Sequence, residues 1–116
     1  LGLPKEHPFL YIESVVNYQR ILKECFWDMN LSDTELAAFA AGDDPYKKQI
    51  IFQKILENST DLLQDLALFS RKDIESLIDN YAIPEFNREY YFRRKNLAEV
   101  YFLNRPLLIK ELQWNY

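Results

Sequence analysis

Two side chains of the kind most used for nucleophilic or metal chemistry occur once each, His7 and Cys25. A two-histidine zinc site needs a second imidazole, and a Cys–His cluster needs more thiols, so neither can be assembled. A Ser–His–acid or Cys–His site would have to recruit His7, which precedes a proline and reads as a helix-flanking residue. Cys25 falls within an apolar stripe and reads as a small hydrophobe of the core. The two glycines, Gly2 and Gly42, are too far apart for a Walker loop or a dinucleotide fingerprint. In "GDD" at 42–44, Gly42 closes one helix and Asp44 caps the next, which explains the triplet better than a metal does. Asp61 and Asp65 share a helix face at i, i+4 and could meet a hard cation, but two carboxylates are too few. A solvated face is expected there. No catalytic residue, metal or cofactor is assigned, no small molecule is implied, and the chain is expected to be non-enzymatic.

Basic residues raise a second chemistry, phosphate binding. The net charge of −4 gives no overall basic excess of the kind that supplies affinity for nucleic acid. Two local segments nonetheless fit. Helix, Gly-bearing turn and second helix in "TELAAFAAGDDPYKKQIIFQKIL", within 33–57, resemble a helix-turn-helix, with Lys47, Lys48, Gln49 and Gln53 available to a recognition helix. Against this, Asp43 and Asp44 would stand near a DNA backbone, and Lys48 falls where that motif has an apolar residue. The second segment is "FNREYYFRRKNLAEVYFLNR", 86–105, where cations alternate with aromatics as single-stranded nucleic acid would favour. Glu85, Glu89 and Glu99 lie among those cations and would repel phosphates.

The elements that position these residues are written in helix grammar. Few turn-formers and 116 residues point to a single all-α domain, 1–116, rather than a sheet protein. Pro8 suits a first helical position, and Tyr11, Val15, Tyr18, Leu22, Cys25 and Met29 follow at spacings of four and three. A long first helix of some 20 residues is expected. Ser32 and Glu35 form a capping box flanked by Leu31 and Leu36, and Gly42 is expected to end that helix in a left-handed conformation. Asp44 and Pro45 open the next helix, with Ile51, Phe52, Ile55 and Leu56 inward. Ser59 or Thr60 is expected to cap "DLLQDLALF", with Leu62, Leu63, Leu66 and Phe69 inward. Ser70 caps the following helix, whose Ile74, Leu77, Ile78 and Tyr81 fall at i, i+3, i+4 and i+7. Pro84 is expected to stop it and open a long last helix. The expected architecture is a bundle of about five or six helices with short connections.

At about 100° per residue the last helix separates into two faces. Phe86, Tyr90, Leu97, Val100 and Tyr101 gather on one side, continued by Leu108, and this side is expected to meet the core. Arg93 points the same way and must snorkel or find a carboxylate. A second row, Arg88, Tyr91, Lys95, Ala98, Phe102 and Arg105, lies about 120° to 140° away. Aromatics and Arg with a polar rim compose a protein–protein interface, although a mid-bundle helix with two core faces has the same pattern. The six residues of that row are the candidate contact surface.

By size and helical class the chain is also similar to proteins of the HEPN kind. Their nuclease signature needs an Arg with a His a few residues later, and "RRKNLAEVYF" has no His. That resemblance implies a HEPN-like helical partner protein without the nuclease motif. The leading expectation is a self-associating interaction domain, a homodimer, whose partner is a second copy or another helical protein. A single Cys rules out an intrachain disulfide framework and makes a reducing cytoplasm the expected compartment. No apolar run approaches the ~20 residues of a membrane span, and no signal-peptide pattern opens the chain, which begins at Leu1 rather than Met.

Overall fold

The computed structural model describes residues 16–113. Among these the chain is all-helical, with six α-helices, one short 3-10 turn and no strand. The helices are α1 (Tyr18–Cys25), α2 (Asp33–Ala41), α3 (Pro45–Asn58), α4 (Leu62–Leu66), α5 (Arg71–Asp79) and α6 (Arg88–Leu103). The 3-10 turn is Lys110–Leu112. The central element is α3, on which the other five helices pack. One continuous apolar core results, with Phe52, Ile55 and Leu56 of α3 fully enclosed by Ile21, Leu36, Leu66 and Ile78 from its neighbours.

Local capping explains most helix boundaries. Ser32 Oγ accepts from the Glu35 N–H at 3.1 Å, and Glu35 Oε1 accepts from the Ser32 N–H at 2.9 Å, completing the expected box. Asp44 Oδ1 accepts from Tyr46 and Lys47 N–H groups ahead of Pro45, and Ser70 Oγ accepts from the Asp73 N–H. These side chains satisfy N–H groups that the first helical turn leaves without partners.

Other expectations need correction. Instead of a long first helix running unbroken through to Met29, α1 has eight residues. Asn17 starts it, its Oδ1 accepting from the Arg20 N–H at 3.0 Å. An Asn inside an apolar stripe offers the backbone a fresh start, and that local bond defines the boundary. Pro8, Tyr11 and Val15 lie outside the described residues. The buried edge runs through Ile21, Cys25 and Phe26, while Leu22 is half-buried and Met29 exposed. Gly42 is extended, at φ −80° and ψ −166°, not left-handed. Space there is tight, since an added Cβ would stand 3.0 Å from the Ala38 carbonyl oxygen. Asp61, not Ser59 or Thr60, precedes α4, and Ser59 instead closes α3 by donating its N–H to Ile55 O. Pro84 lies in the connection, and α6 begins only after Asn87, whose φ is 55°.

Candidate functional site

The densest polar cluster joins α1 to the α3–α4 connection. Arg20 Nη2 meets Asp65 Oδ1 at 2.6 Å and its Nη1 meets Glu24 Oε1 at 2.8 Å. The other Asp65 oxygen accepts from Ser59 Oγ at 2.5 Å. Glu24 accepts from both the N–H and the hydroxyl of Thr60. Those Thr60 bonds, aided by Arg20, hold the Glu24 carboxyl below its ordinary range, and the Asp65 carboxylate raises Arg20 further. Asp65 is therefore buried and paired, not part of a solvated face as the i, i+4 reading of Asp61 and Asp65 expects. Helix α4 is only five residues long, and its inward turn carries the carboxylate into the core.

Chemically this cluster is closed. The Ser59 hydroxyl donates to Asp65 while accepting from the Asp61 N–H, and Ser59 is buried. Nothing frees it to attack a substrate. Among the described residues no group of three or more His, Cys, Asp or Glu side chains could hold a metal ion, and every buried side-chain polar atom has a partner. Cys25 lies in the core, and burial together with the nearby Asp65 and Glu24 carboxylates pushes its thiol up to about 12. A thiolate is thus disfavoured. Native protein should not react with a disulfide reagent over minutes, whereas one thiol per chain should react after unfolding in guanidinium; fast native reaction would contradict the burial.

Two hollows border α3. One, of about 400 Å3, is lined by Trp27, Ile50, Gln53, Lys54, Glu57 and Asn58. Its charged groups are engaged, Lys54 with Asp28 at 2.6 Å and Glu57 with the Tyr81 hydroxyl at 2.8 Å. The other, of about 290 Å3, lies between α3 and α5. There Lys48 meets Asp73 at 2.6 Å and Gln49 donates to the Leu77 carbonyl.

Helix α6 is where the structure departs furthest from the angular reading. Much of the side expected to meet the core is open to solvent: Phe86 is 71 % exposed, Tyr101 63 % and Tyr90 48 %, with Leu108 exposed as well, while Leu97 and Val100 are half-buried. The opposite assignment holds for most of the candidate contact row. Ala98 is fully buried and Phe102 packs against the core. Tyr91 is half-buried, its ring in contact with Phe86 and Tyr90. Lys95 is half-buried. Arg105 binds Asp79 at 2.8 Å and Glu99 at 3.4 Å. Only Arg88 is exposed, donating to Ile83 O and standing 3.6 Å from Glu85.

A third face explains the extra apolar circumference. Residues 106–112 fold back along α6 as a strap, placing Ile109 in contact with the helix side that carries Phe92 and Asn96. Arg93 pairs with Glu89 and, at 3.0 Å, with Glu111 of this strap. Arg94 turns inward, donating from Nε to Leu56 O and from Nη2 to Ser59 O at 2.6 Å, with Tyr90 over its guanidinium. The run Arg93–Arg94–Lys95 therefore points in three directions and forms no common basic patch. Lys47 lies over the Phe39 ring, and Lys48 and Lys54 are ion-paired.

Among the described residues, no other element covers the side of α6 bearing the exposed Tyr90 and Tyr101 with half-buried Leu97 between them. It lies between the core face and the strap face, and spans roughly 16 Å along the helix axis. Tyr90 stacks edge-on with Tyr91, and Tyr101 with Phe102, so both exposed rings are braced by buried or half-buried neighbours. The strap face is not legible in the sequence, because "NRPLLIK" carries no helical period and only its chain reversal reveals which side of α6 it covers. No described helix is long and apolar enough to cross a membrane. Comparison of the chain with known protein families, curated proteins and solved structures gives no match.

Proposed function

We propose that this chain is a non-enzymatic helical interaction domain that self-associates through the Tyr90–Leu97–Tyr101 side of α6. The observation that carries this reading is a braced aromatic stripe left in water on a helix whose other two sides are covered. Aromatic residues with low conformational freedom are what interface centres are made of. The occupant is a second copy, because the stripe has like chemistry at both ends and no free charge along it. A two-fold axis across it sets the Tyr90 end of one copy beside the Tyr101 end of the other without like-charge repulsion. The proposed surface is thus displaced from the Arg88–Arg105 row, whose Ala98 has no surface left to offer. Protein contact is favoured over nucleic acid because Lys48, Lys54, Arg93 and Arg94 are all engaged inside the chain. The compartment we propose is the cytoplasm, in keeping with one buried thiol.

Light scattering over a concentration series tests the reading. The native chain should approach twice its 13.9 kDa mass as concentration rises. Tyr101→Asp should stay at the monomer mass with an unchanged circular dichroism spectrum, since the ring is exposed. A native chain that is monomeric at the highest concentration ends the proposal. Phe102→Ala is a poorer probe, because its packing on the core mixes association with stability.

A further inference from the structure

The strap is held in an unusual way. Asn96, in the middle of α6, is 1 % exposed, and its side-chain amide is spent almost wholly on the strap backbone. Nδ2 donates to Pro106 O at 3.1 Å and to Glu99 at 3.0 Å, while Oδ1 accepts from the Leu108 N–H at 2.7 Å. The carbonyl of 106 and the N–H of 108 bracket one residue, the same pair that an adjoining strand would engage. An Asn amide placed this way reads extended backbone and is indifferent to the intervening side chain.

Side-chain recognition is concentrated at one position. Ile109 is 3 % exposed, whereas Leu108 and Leu112 remain exposed. Ile109 does not belong to the main apolar core, so its seat is a satellite of the fold rather than part of its centre. A hollow of about 200 Å3 persists between strap and helix, bordered by Phe92, Arg93, Ile109 and Glu111. The connection is short: Asn104 closes α6 at φ 56° and ψ 32°, the left-handed conformation that Asn adopts readily at a helix end, and Pro106 follows within two residues. Opening of this short connection would free the same segment to enter the groove of another copy.

We infer that the α6 groove centred on Asn96 is a binding site for an extended peptide, filled in cis by residues 106–112 and able to take the same segment from a second copy. Asn96 reads the backbone, Ile109 fills the pocket, and Arg93 selects an acidic residue two positions further on, as Glu111 is here. This site is separate from the Tyr90–Tyr101 stripe, and neither depends on the other.

The test uses the 116-residue chain carrying Tyr101→Asp, so that stripe contacts do not contribute. Ile109→Asp spoils a chain's own strap but leaves its groove intact; Asn96→Ala spoils the groove but leaves the strap intact. Each variant alone should be monomeric, and an equimolar mixture should give a one-to-one heterodimer by light scattering. A fluorescent peptide of residues 105–113 should bind the Ile109→Asp chain at least tenfold more tightly than the chain with its native strap. Adding Asn96→Ala should abolish that gain. Ile109→Ala should give the same ranking with a smaller difference if the Asp variant unfolds. A mixture that stays monomeric removes the second copy as occupant, and equal peptide affinity with and without Ile109 removes the site. Neither result bears on the native dimer through Tyr101.

Discussion

Replacing Arg20 with Met is expected to destabilise the fold by about 3 kcal/mol, near the lower end for breaking a buried ion pair. The reason is asymmetric burial. Asp65 has almost no contact with water, while a quarter of the Arg20 side chain does. Removing the cation leaves a buried carboxylate held only by the Ser59 hydroxyl. The partner substitution separates charge from packing. Asp65→Asn placed on top of Arg20→Met should recover part of the loss, because an amide in that seat carries no uncompensated charge. Urea unfolding of the two single variants and the double variant measures the coupling. If the double variant is no more stable than Arg20→Met alone, charge burial is not what the clamp supplies.

The other large effect lies at Phe52, in the middle of α3. Phe52→Ala should cost about 4 kcal/mol, from lost transfer energy plus the cavity left behind. Its ring is fully buried and meets Phe69 and Tyr81 edge-on, with centroids 6.2 Å and 6.3 Å away. Such contacts add to area burial. The Tyr81 hydroxyl, raised by burial and then by its bond to Glu57, depends on the same packing for its position. A fall in the thermal midpoint of roughly 15 °C is expected for a chain of this size, while Phe52→Leu should lose less than half as much. A midpoint within 3 °C of native for Phe52→Ala, an order-of-magnitude threshold, would contradict the central place given to α3.

What could be read in advance divides by range. The Ser32–Glu35 box, the Asp44–Pro45 start and the Ser70 cap are contained within four residues, and their chemistry is the same in any helical protein. The inward face of α5 was legible because one side only is apolar. Helix α6 failed that condition. It has a core face, a strap face and an open aromatic face, so the apolar period alone supports more than one rotation. Deciding between them requires knowing that residues 106–112 reverse along it. Asp65 was opaque for a related reason: its partner Arg20 is forty-five positions away, and no local pattern distinguishes a paired carboxylate from a hydrated one. In the first helix the apolar stripe runs through Asn17, whose side chain competes for the backbone by accepting from the Arg20 N–H, and periodicity alone does not show that bond.

The inward turn of Arg94 has a consequence for how the molecule breathes. Its guanidinium serves as the terminating cap of α3, although it belongs to a different helix. Fraying of the last turn of α3 strips Leu56 O and Ser59 O of these donors, so that turn is expected to exchange its amide protons together with the middle of α6. The strap, held by Ile109, the Asn96 amide and the Arg93–Glu111 ion pair, is expected to open on its own and faster clock.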